Sequence, residues 1–127
     1  MGRKNYLIDS NVVIYYFGLA LSEESEKFMD QVLTDNYSIS VINRIELLGF
    51  KGLQVNESEA LNSFIFNSNI FDLEEDIILK TIQIRSKYSI KLPDAIIAAT
   101  CLVNNYSLIT NNVKDFEKIA GLQFIKV

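Results

Sequence analysis

The order of short apolar segments and longer helix-like segments constrains the fold of this chain more than any other feature. Five segments are short and apolar enough to be strands. They are residues 6–9, 37–41, 69–73, Ser107–Thr110 and 122–127. Helix-like segments separate them, and strands that are joined through helices pair in parallel, with helices on both faces of the sheet. The sequence therefore predicts an α/β fold, with a central parallel sheet between two layers of helices.

The helices are predicted from the spacing of apolar residues and from residues typical of helix ends. Ser10 and Ser22 suit the N-cap of a helix, and Pro93, the only proline, suits the first helical position. The predicted helices are residues 11–17, a helix that Ser22 opens, 42–50, 57–68, 74–88, 93–105 and a short helix before the last strand. No repeat or flexible linker interrupts this pattern, so we expect one domain over residues 1–127.

Composition excludes several kinds of site. The chain contains no His and a single Cys, Cys101. Without His there is no Ser-His-Asp or Cys-His nucleophilic site and no His-containing zinc site, and one Cys excludes an internal disulfide. The formal net charge is −4, so a broad basic surface for nucleic acid is absent. Any contact with RNA or DNA would have to be local or pass through a metal cation.

Targeting signals are not recognisable in the sequence. It has no apolar run of about 18 residues, which a membrane-spanning helix needs. The start, MGRKNYLIDS, lacks the apolar region of a signal peptide and has Tyr6 where a myristoylation signal has Ser or Thr. A single Cys is compatible with a reducing compartment. We therefore expect a soluble, cytoplasmic protein with no membrane partner.

Polar residues collect where the predicted strands end. Asp9 closes the first predicted strand, Glu46 lies in the helix after the second, and Asp94 lies in the first turn of a later, Ala-rich helix. A polar turn at residues 110–112 closes the fourth strand. In an open parallel sheet, ligands bind beyond the carboxyl ends of the strands, where the strand order reverses. If the fourth strand lies beside the first, these polar residues flank one crevice.

Each acid also has an ordinary structural explanation. Asp9 and Asp94 stand near predicted helix N-termini, where an acid interacts favourably with the helix dipole. Glu46 could pair with Arg44 on the surface, and Asp115 could simply cap a short helix. The combination is harder to explain in this way, because unpaired carboxylates among apolar neighbours are costly to bury. Acids without matching bases favour a hard cation such as Mg²⁺ or Mn²⁺, which could activate water for phosphodiester cleavage.

Four segments follow one another in an order that is found in a known family. They are YLIDSN at residues 6–11, IELLGF at 45–50, LPDAIIAAT at 92–100 and LITNNVKDF at 108–116. On these segments the chain resembles PIN-domain proteins, in particular the VapC-type toxins of prokaryotic toxin–antitoxin modules. The resemblance implies a three-layer α/β/α sandwich with strand order 3-2-1-4-5. It also implies a Mg²⁺- or Mn²⁺-dependent endoribonuclease that hydrolyses RNA phosphodiester bonds.

The resemblance assigns roles to individual acids. Asp9, Glu46 and Asp94 match the three acids of the family's metal site, which makes them the expected catalytic and metal-binding residues. Asp9 and Asp94 would hold the first metal, and Glu46 would orient or share it. These assignments rest on the family's pattern and not on spacing alone.

The fourth acid and the polar turn follow the family's pattern less directly. Many members carry Asp at the position of Asn112, and others have Asn there and an acid three residues later, which is Asp115 here. We therefore assign the fourth catalytic and metal-binding role to Asp115. Thr110 and Asn111 match the polar turn, where their hydroxyl and amide would position water and the first acid. Asn11 and Asn112 are grouped with them as residues that position substrate or water.

The resemblance further implies partners, which are a homodimer mate and a cognate antitoxin whose C-terminal peptide covers the metal site. The apolar residues 12–21 and the second helix could supply such contacts. Two alternatives stay open. One is a non-catalytic PIN-like interaction or RNA-binding module, against which the three acids argue. The other is a nucleotide-binding or receiver-like domain, but glycine-rich phosphate loops are absent and D-S-N lacks the second Asp of aspartyl-phosphate hydrolases.

Overall fold

A five-stranded sheet forms the centre of the computed structural model, which describes residues 5–127. The strands are β1 (Tyr6–Ile8), β2 (Ser38–Ser40), β3 (Asn69–Phe71), β4 (Ser107–Thr110) and β5 (Phe124–Lys126). Their order is β3-β2-β1-β4-β5, and every neighbouring pair is parallel. The structure therefore confirms the parallel sheet and the implied order 3-2-1-4-5. The first four residues, which belong to the expected single domain and to the start searched for targeting signals, lie outside the described residues.

Seven helices flank the sheet within residues 5–127. They are α1 (Ser10–Phe17), α2 (Glu23–Leu33), α3 (Val41–Leu48), α4 (Val55–Phe66), α5 (Glu75–Lys87), α6 (Leu92–Asn104) and α7 (Val113–Phe116). In this part of the chain, no helix has the length and apolar character needed to cross a membrane. Each predicted helix is present, with bounds that differ from the prediction by a few residues.

The two faces of the sheet are covered by different helices, because successive residues of a strand point to opposite faces. In β1, Leu7 packs with buried residues of α5 and α6, whereas Ile8 packs with buried residues of α1, α2 and α4. Leu108 and Ile109 repeat this alternation in β4. All four side chains are fully buried, and each contributes about 1.5–3 kcal/mol of hydrophobic free energy. The result is the expected three-layer α/β/α sandwich with two apolar cores.

Three helices, α1, α3 and α6, begin one residue earlier than predicted. α1 begins at Ser10, so its N-cap is Asp9 and the predicted Ser10 cap is wrong. α6 begins at Leu92, which places Pro93 at the second helical position instead of the first. Backbone amides in the first turn have no partner within the helix, so both acids and proline are tolerated at several positions there. The sequence therefore locates a helix start without fixing its first residue. Ser22 caps α2 as predicted.

Four of the five predicted strands are longer than those observed, whereas β4 has the predicted bounds Ser107–Thr110. β2 ends at Ser40 because the Ser40 hydroxyl accepts a hydrogen bond from the Ile42 amide at 3.0 Å and caps α3. α3 therefore begins at Val41, which the sequence pattern had assigned to the strand. β3 and β5 are likewise limited to three residues each.

The apolar segment 12–21 is divided between core and surface. Val12 and Val13 are buried in the core on the α1 face of the sheet. Tyr15 and Leu19 point outward, with exposed fractions of 47% and 81%. Val12 and Val13 therefore cannot supply partner contacts, because their side chains fill the core, and the expectation is limited to the other residues of the segment.

Candidate active site

The predicted polar residues lie at the carboxyl ends of β1 and β4, on either side of the point where the strand order reverses. β1 and β4 pair in register, with Ile8 opposite Ile109, and the Asp9 amide donates a hydrogen bond to the Ile109 carbonyl at 2.9 Å. Asp9 and Thr110 therefore lie side by side. This is the edge of an open parallel sheet at which ligands bind.

Asp9 is buried and accepts two hydrogen bonds. Its Oδ1 accepts from the Ser10 amide and its Oδ2 accepts from the Thr110 hydroxyl, both at 2.9 Å. Burial raises the pKa of the Asp9 carboxyl above its usual 3.8, and the hydrogen bonds from Thr110 and Ser10 offset part of this rise. The nearby charges of Glu46 and Asp115 raise the pKa further. Asp9 is therefore held in one orientation, in a surrounding that favours a compensating positive charge.

A chain of hydrogen bonds holds Glu46. The Ser10 hydroxyl donates to Glu46 Oε1 at 2.8 Å and accepts from the Asn43 side chain at 2.9 Å. Asn43 is fully buried, and its Oδ1 accepts from the Ser40 amide at 2.8 Å at the start of α3. Ser10 therefore contacts two acids, because its amide donates to Asp9 and its hydroxyl donates to Glu46. Glu46 itself lies on the exposed part of α3.

Ser10 and Asn43 were not among the site residues predicted from the sequence. The signal for Asn43 is a Ser-x-x-Asn capping box, in which Ser40 and Asn43 satisfy each other's backbone amides. Glu46 follows Asn43 by three residues and therefore lies on the same side of the helix. A capping-box Asn followed one helical turn later by an acid is therefore the sequence pattern that indicates Asn43 beside Glu46.

Asp94 lies in the first turn of α6, where the negative charges of the other acids affect its pKa. Its pKa is raised from 3.8 to about 6, first by burial and then by the charges of Asp9, Asp115 and Glu46. The positive charge of Lys91 opposes this rise, with the smallest effect of these groups. Three acids from three other elements thus act on one carboxyl group. The four predicted carboxylates therefore lie near enough to one another for their charges to interact.

The turn after β4 connects Asp115 to the buried part of the site. The Asn112 amide donates to Thr110 Oγ1 at 3.0 Å, and the Asn112 side chain donates to Asp115 Oδ2 at 2.5 Å. The sequence had pointed to the Asn111 amide for positioning, but these bonds belong to Asn112, and Asn111 is partly buried beside it. Asn11 is exposed at the second position of α1. Asn112 and Asp115 are therefore hydrogen-bonded neighbours in this turn.

The donor atoms of this site suit a hard divalent cation. They are carboxylate, hydroxyl and amide oxygens, which Mg²⁺ and Mn²⁺ prefer, and a carboxylate can accept several interactions at once. A cation would also relieve the like charges that raise the pKa of Asp94. Within residues 5–127, however, no three acidic side chains are close enough together to hold a metal ion. The acids therefore have to move closer together before they can ligate one ion, whereas the hydrogen bonds to Asp9, Glu46 and Asp115 leave further lone pairs on each carboxylate.

Comparison with known proteins agrees with this architecture. The family model described as PIN domain matches residues 6–122 of this chain. Among curated proteins, the chain is similar to ribonuclease VapC1 of Rickettsia felis, with 44% identity over 43 residues. That alignment covers 34% of this chain and 32% of the relative, so it spans about a third of the relative's length.

Solved structures match over nearly the whole chain. A toxin–antitoxin complex from Klebsiella pneumoniae contains a chain that is 29% identical, with a TM-score of 0.77 over 97% of this chain and 100% of that chain. A DNA-bound VapBC from Salmonella typhimurium contains a chain that is 21% identical, with a TM-score of 0.82 over 98% of both chains. At 21% identity, the second similarity supports the fold alone.

Proposed function

Because this chain belongs to the PIN-domain family, we propose that it is a metal-dependent endoribonuclease of the VapC type, the toxin of a toxin–antitoxin pair. The observation that carries the proposal is the hydrogen-bond network that joins Asp9 to Glu46 through Ser10 and to Asp115 through Thr110 and Asn112, with Asp94 near enough for their charges to act on it. The curated relative is named a ribonuclease, and the structure that contains a 29% identical chain is named a toxin–antitoxin complex. Function is inferred from the site first, because one fold can host many functions.

The four acids have distinct parts in this proposal. Asp9 and Asp94 hold Mg²⁺ or Mn²⁺, Glu46 orients or shares the ion, and Asp115 supplies the fourth carboxylate. A divalent cation held there would supply water activation and charge neutralisation at the scissile phosphate. The hydroxyl of Thr110 donates to one oxygen of Asp9 and so restricts the orientations from which this side chain would move to bind the ion.

Hydrogen bonds prepare the remaining carboxylates before a ligand arrives. Ser10 holds Glu46, and Asn112 holds Asp115, so neither acid has to be ordered entirely by the ligand. The amides of Asn11 and Asn111 have the chemistry to position substrate or water beside the acids. Such preparation lowers the reorganisation needed when charge develops during phosphodiester cleavage.

The proposal includes an RNA substrate, a cognate antitoxin and a second copy of the chain. Exposed apolar side chains mark interfaces when they cluster. Ile45 and Leu48 are exposed on α3 beside Glu46, so an antitoxin segment bound there would cover the site. Tyr15 and Leu19 are the exposed apolar residues at the end of α1 that a dimer would bury. A monomer mass in size-exclusion chromatography with light scattering at all concentrations would contradict the dimer.

Cleavage of RNA by the purified protein tests the catalytic part of the proposal. Wild type and Asp94→Asn are incubated with total RNA in Mg²⁺, Mn²⁺ or EDTA. Glu59→Gln is the matched control, because it removes one negative charge from an exposed position of α4. We expect discrete fragments from wild type and Glu59→Gln with metal, and none from Asp94→Asn or in EDTA.

Two outcomes would contradict the proposal. Cleavage that survives in Asp94→Asn would place the activity at another site or in a contaminant. The absence of cleavage, together with no Mn²⁺ binding in calorimetry, would favour a non-catalytic PIN-like module that binds RNA or a protein.

A further inference from the structure

We propose that the cleft between α5 and the segment after α7 is a docking surface for the sugar–phosphate backbone of RNA. This inference rests on the proposed function, because it states where the substrate of that site lies outside the reacting phosphate. It assigns a role to basic residues that the catalytic proposal does not use.

The cleft has two walls, which a hydrogen bond connects. It has a volume of about 240 Å³ and is lined on the α5 side by Lys80 and Lys87. Ile119 and Ala120 line the opposite side. Tyr88 connects the walls, because its hydroxyl accepts a hydrogen bond from the Ala120 amide at 3.1 Å. The cleft is therefore a fixed feature of the fold and places two ammonium groups on one side.

Positive charge is concentrated in the stretch of sequence that forms most of the cleft, although the chain is acidic overall. Residues 80–118 contain six of the twelve basic residues and three of the sixteen acids, a net charge of +3 in a chain of net charge −4. The basic residues of this segment are Lys80, Arg85, Lys87, Lys91, Lys114 and Lys118. Two of its three acids are the site residues Asp94 and Asp115. A polyanion is therefore attracted to this part of an otherwise repelling molecule.

The cleft is joined to the acidic site through two short stretches of chain. Tyr88 and Asp94 are six residues apart, so their Cα atoms are at most about 21 Å from each other. Ala120 follows Asp115 by five residues. A single strand of a few nucleotides spans such a distance. RNA with one phosphate at the acids therefore reaches the cleft without a bend in the protein.

Two further cations belong to the chain segments that join the cleft to the acids, Lys91 between Tyr88 and Asp94 and Lys118 between Asp115 and Ala120. Lys91 is close enough to Asp94 to act on it electrostatically. The Lys118 ammonium donates a hydrogen bond to the Ser89 carbonyl, which ties the segment after α7 to the loop before α6. A strand that leaves the acids therefore meets positive charge before it reaches Lys87. These charges offset the repulsion between RNA phosphates and the four carboxylates.

RNA fits this surface better than an acidic protein does. The Lys87 ammonium lies 5.4 Å from the centre of the Tyr88 ring, so an aromatic side chain and a cation stand together in the cleft. Proteins that hold single-stranded nucleic acid combine positive charges along the backbone with aromatic side chains for the bases. An acidic peptide would use the charges alone. The cleft is also joined by short chain segments to a site that is proposed to cut RNA.

The test compares lysine variants of the full chain by their salt dependence of RNA binding. Lys80→Gln/Lys87→Gln removes the two cleft charges. Lys27→Gln/Lys51→Gln removes two exposed charges from α2 and from the loop after α3, and serves as the matched control. The probe is a fluorescein-labelled single-stranded RNA of about 12 nucleotides, a length in the range that one such surface covers. Anisotropy is measured in EDTA between about 50 and 200 mM KCl.

We expect the cleft variant to lose two phosphate contacts. Each contact contributes about 0.7 to the slope of log K against log salt for a single strand, so the slope becomes about 1.4 less steep. Over this fourfold salt range, wild-type binding then weakens about sevenfold more than binding of the variant. The control and Lys80→Arg/Lys87→Arg, which keeps both charges, are expected to retain the wild-type slope. In cleavage with Mg²⁺, the cleft variant is expected to show a raised KM and an unchanged kcat.

The other outcomes overturn the inference in distinguishable ways. An unchanged slope and KM in a cleft variant that cleaves RNA would reject the docking surface and leave the proposed function standing. An equal loss in the control pair would show a general charge effect. Unchanged RNA binding with lost binding of a Glu-rich peptide would identify an acidic protein as the partner. If wild type neither binds nor cleaves RNA, the proposed function fails and the inference fails with it.

Discussion

Replacing Asp94 by Asn should stabilise the metal-free protein, although it should abolish cleavage. The change keeps the shape of the side chain and removes a charge that three other acids repel. The folded-state pKa of Asp94 is about 6, against 3.8 for the unperturbed group. Below pH 3.8 the carboxyl is protonated in both states and has no effect on stability. As the pH rises through the window from 3.8 to about 6, the unfolded chain loses its proton first, so the stability of wild type falls.

The size of the effect follows from the pKa difference. A rise of about 2 pKa units corresponds to roughly 3 kcal/mol as an upper limit, since one unit is about 1.4 kcal/mol. Asp94 is partly exposed, so solvent screening reduces this to about 1–2 kcal/mol. In a domain of this length that is a rise in Tm of roughly 3–8 °C at pH 7. At pH 3.8 or below, wild type and Asp94→Asn should unfold at the same temperature.

Calorimetric melts in EDTA at pH 4 and pH 7 measure this difference, with Glu59→Gln as the control for a lost surface charge. Saturating Mg²⁺ or Mn²⁺ should then reverse the order of stability. A ligand at 100 times its Kd stabilises the folded state by about 2.7 kcal/mol, and wild type alone should gain this. The reasoning is refuted if Asp94→Asn is no more stable than wild type in EDTA at pH 7. It is also refuted if the stability gain of Asp94→Asn over wild type is as large at pH 4 as at pH 7.

Three further changes separate stability from activity. Thr110→Val removes the buried hydroxyl that donates to Asp9, so urea melts should show a loss of about 1–3 kcal/mol and cleavage should fall at least about tenfold. Asn43→Ala leaves the Ser10 hydroxyl without its buried donor and opens a small cavity, and should destabilise the fold by about 2–3 kcal/mol in the same melts. Glu46→Gln keeps an oxygen for Ser10 on an exposed position, so stability should stay within about 0.5 kcal/mol while Mn²⁺ affinity in calorimetry falls.

The layers of the fold follow from local patterns, whereas the strand order does not. Short apolar runs such as Tyr6–Ile8 identify strands, because both faces of a central parallel strand are buried. Nothing in those runs states which strands are neighbours. The order 3-2-1-4-5 came from the family resemblance, and the structure confirms it. Strand ends were predicted too long, because caps such as Ser40 begin the next helix within the apolar run.

The part of the site that lies at the ends of strands could be predicted from the sequence. Asp9 and Thr110 close two strands, so their proximity depends only on β1 and β4 being neighbours. The contact between Ser10 and Asn43 joins residues 33 positions apart and depends on how α1 packs against α3. Short polar residues at a helix start also suit a cap, and that local explanation concealed the role of Ser10. Packing between helices is the part of the site that the sequence alone did not determine.

Locating Mn²⁺ by anomalous diffraction, in crystals of wild type and Asp94→Asn grown alike, tests the carboxylate site most directly. The side chains of Asp9 and Asp94 should move to ligate the ion, since the described residues hold no ready cluster of three acids. We expect a Mn²⁺ peak at the carboxyl ends of β1 and β4 in wild type and none there in the variant. A peak elsewhere, or no peak from a preparation that cleaves RNA, would contradict the proposal that these carboxylates form the catalytic metal site.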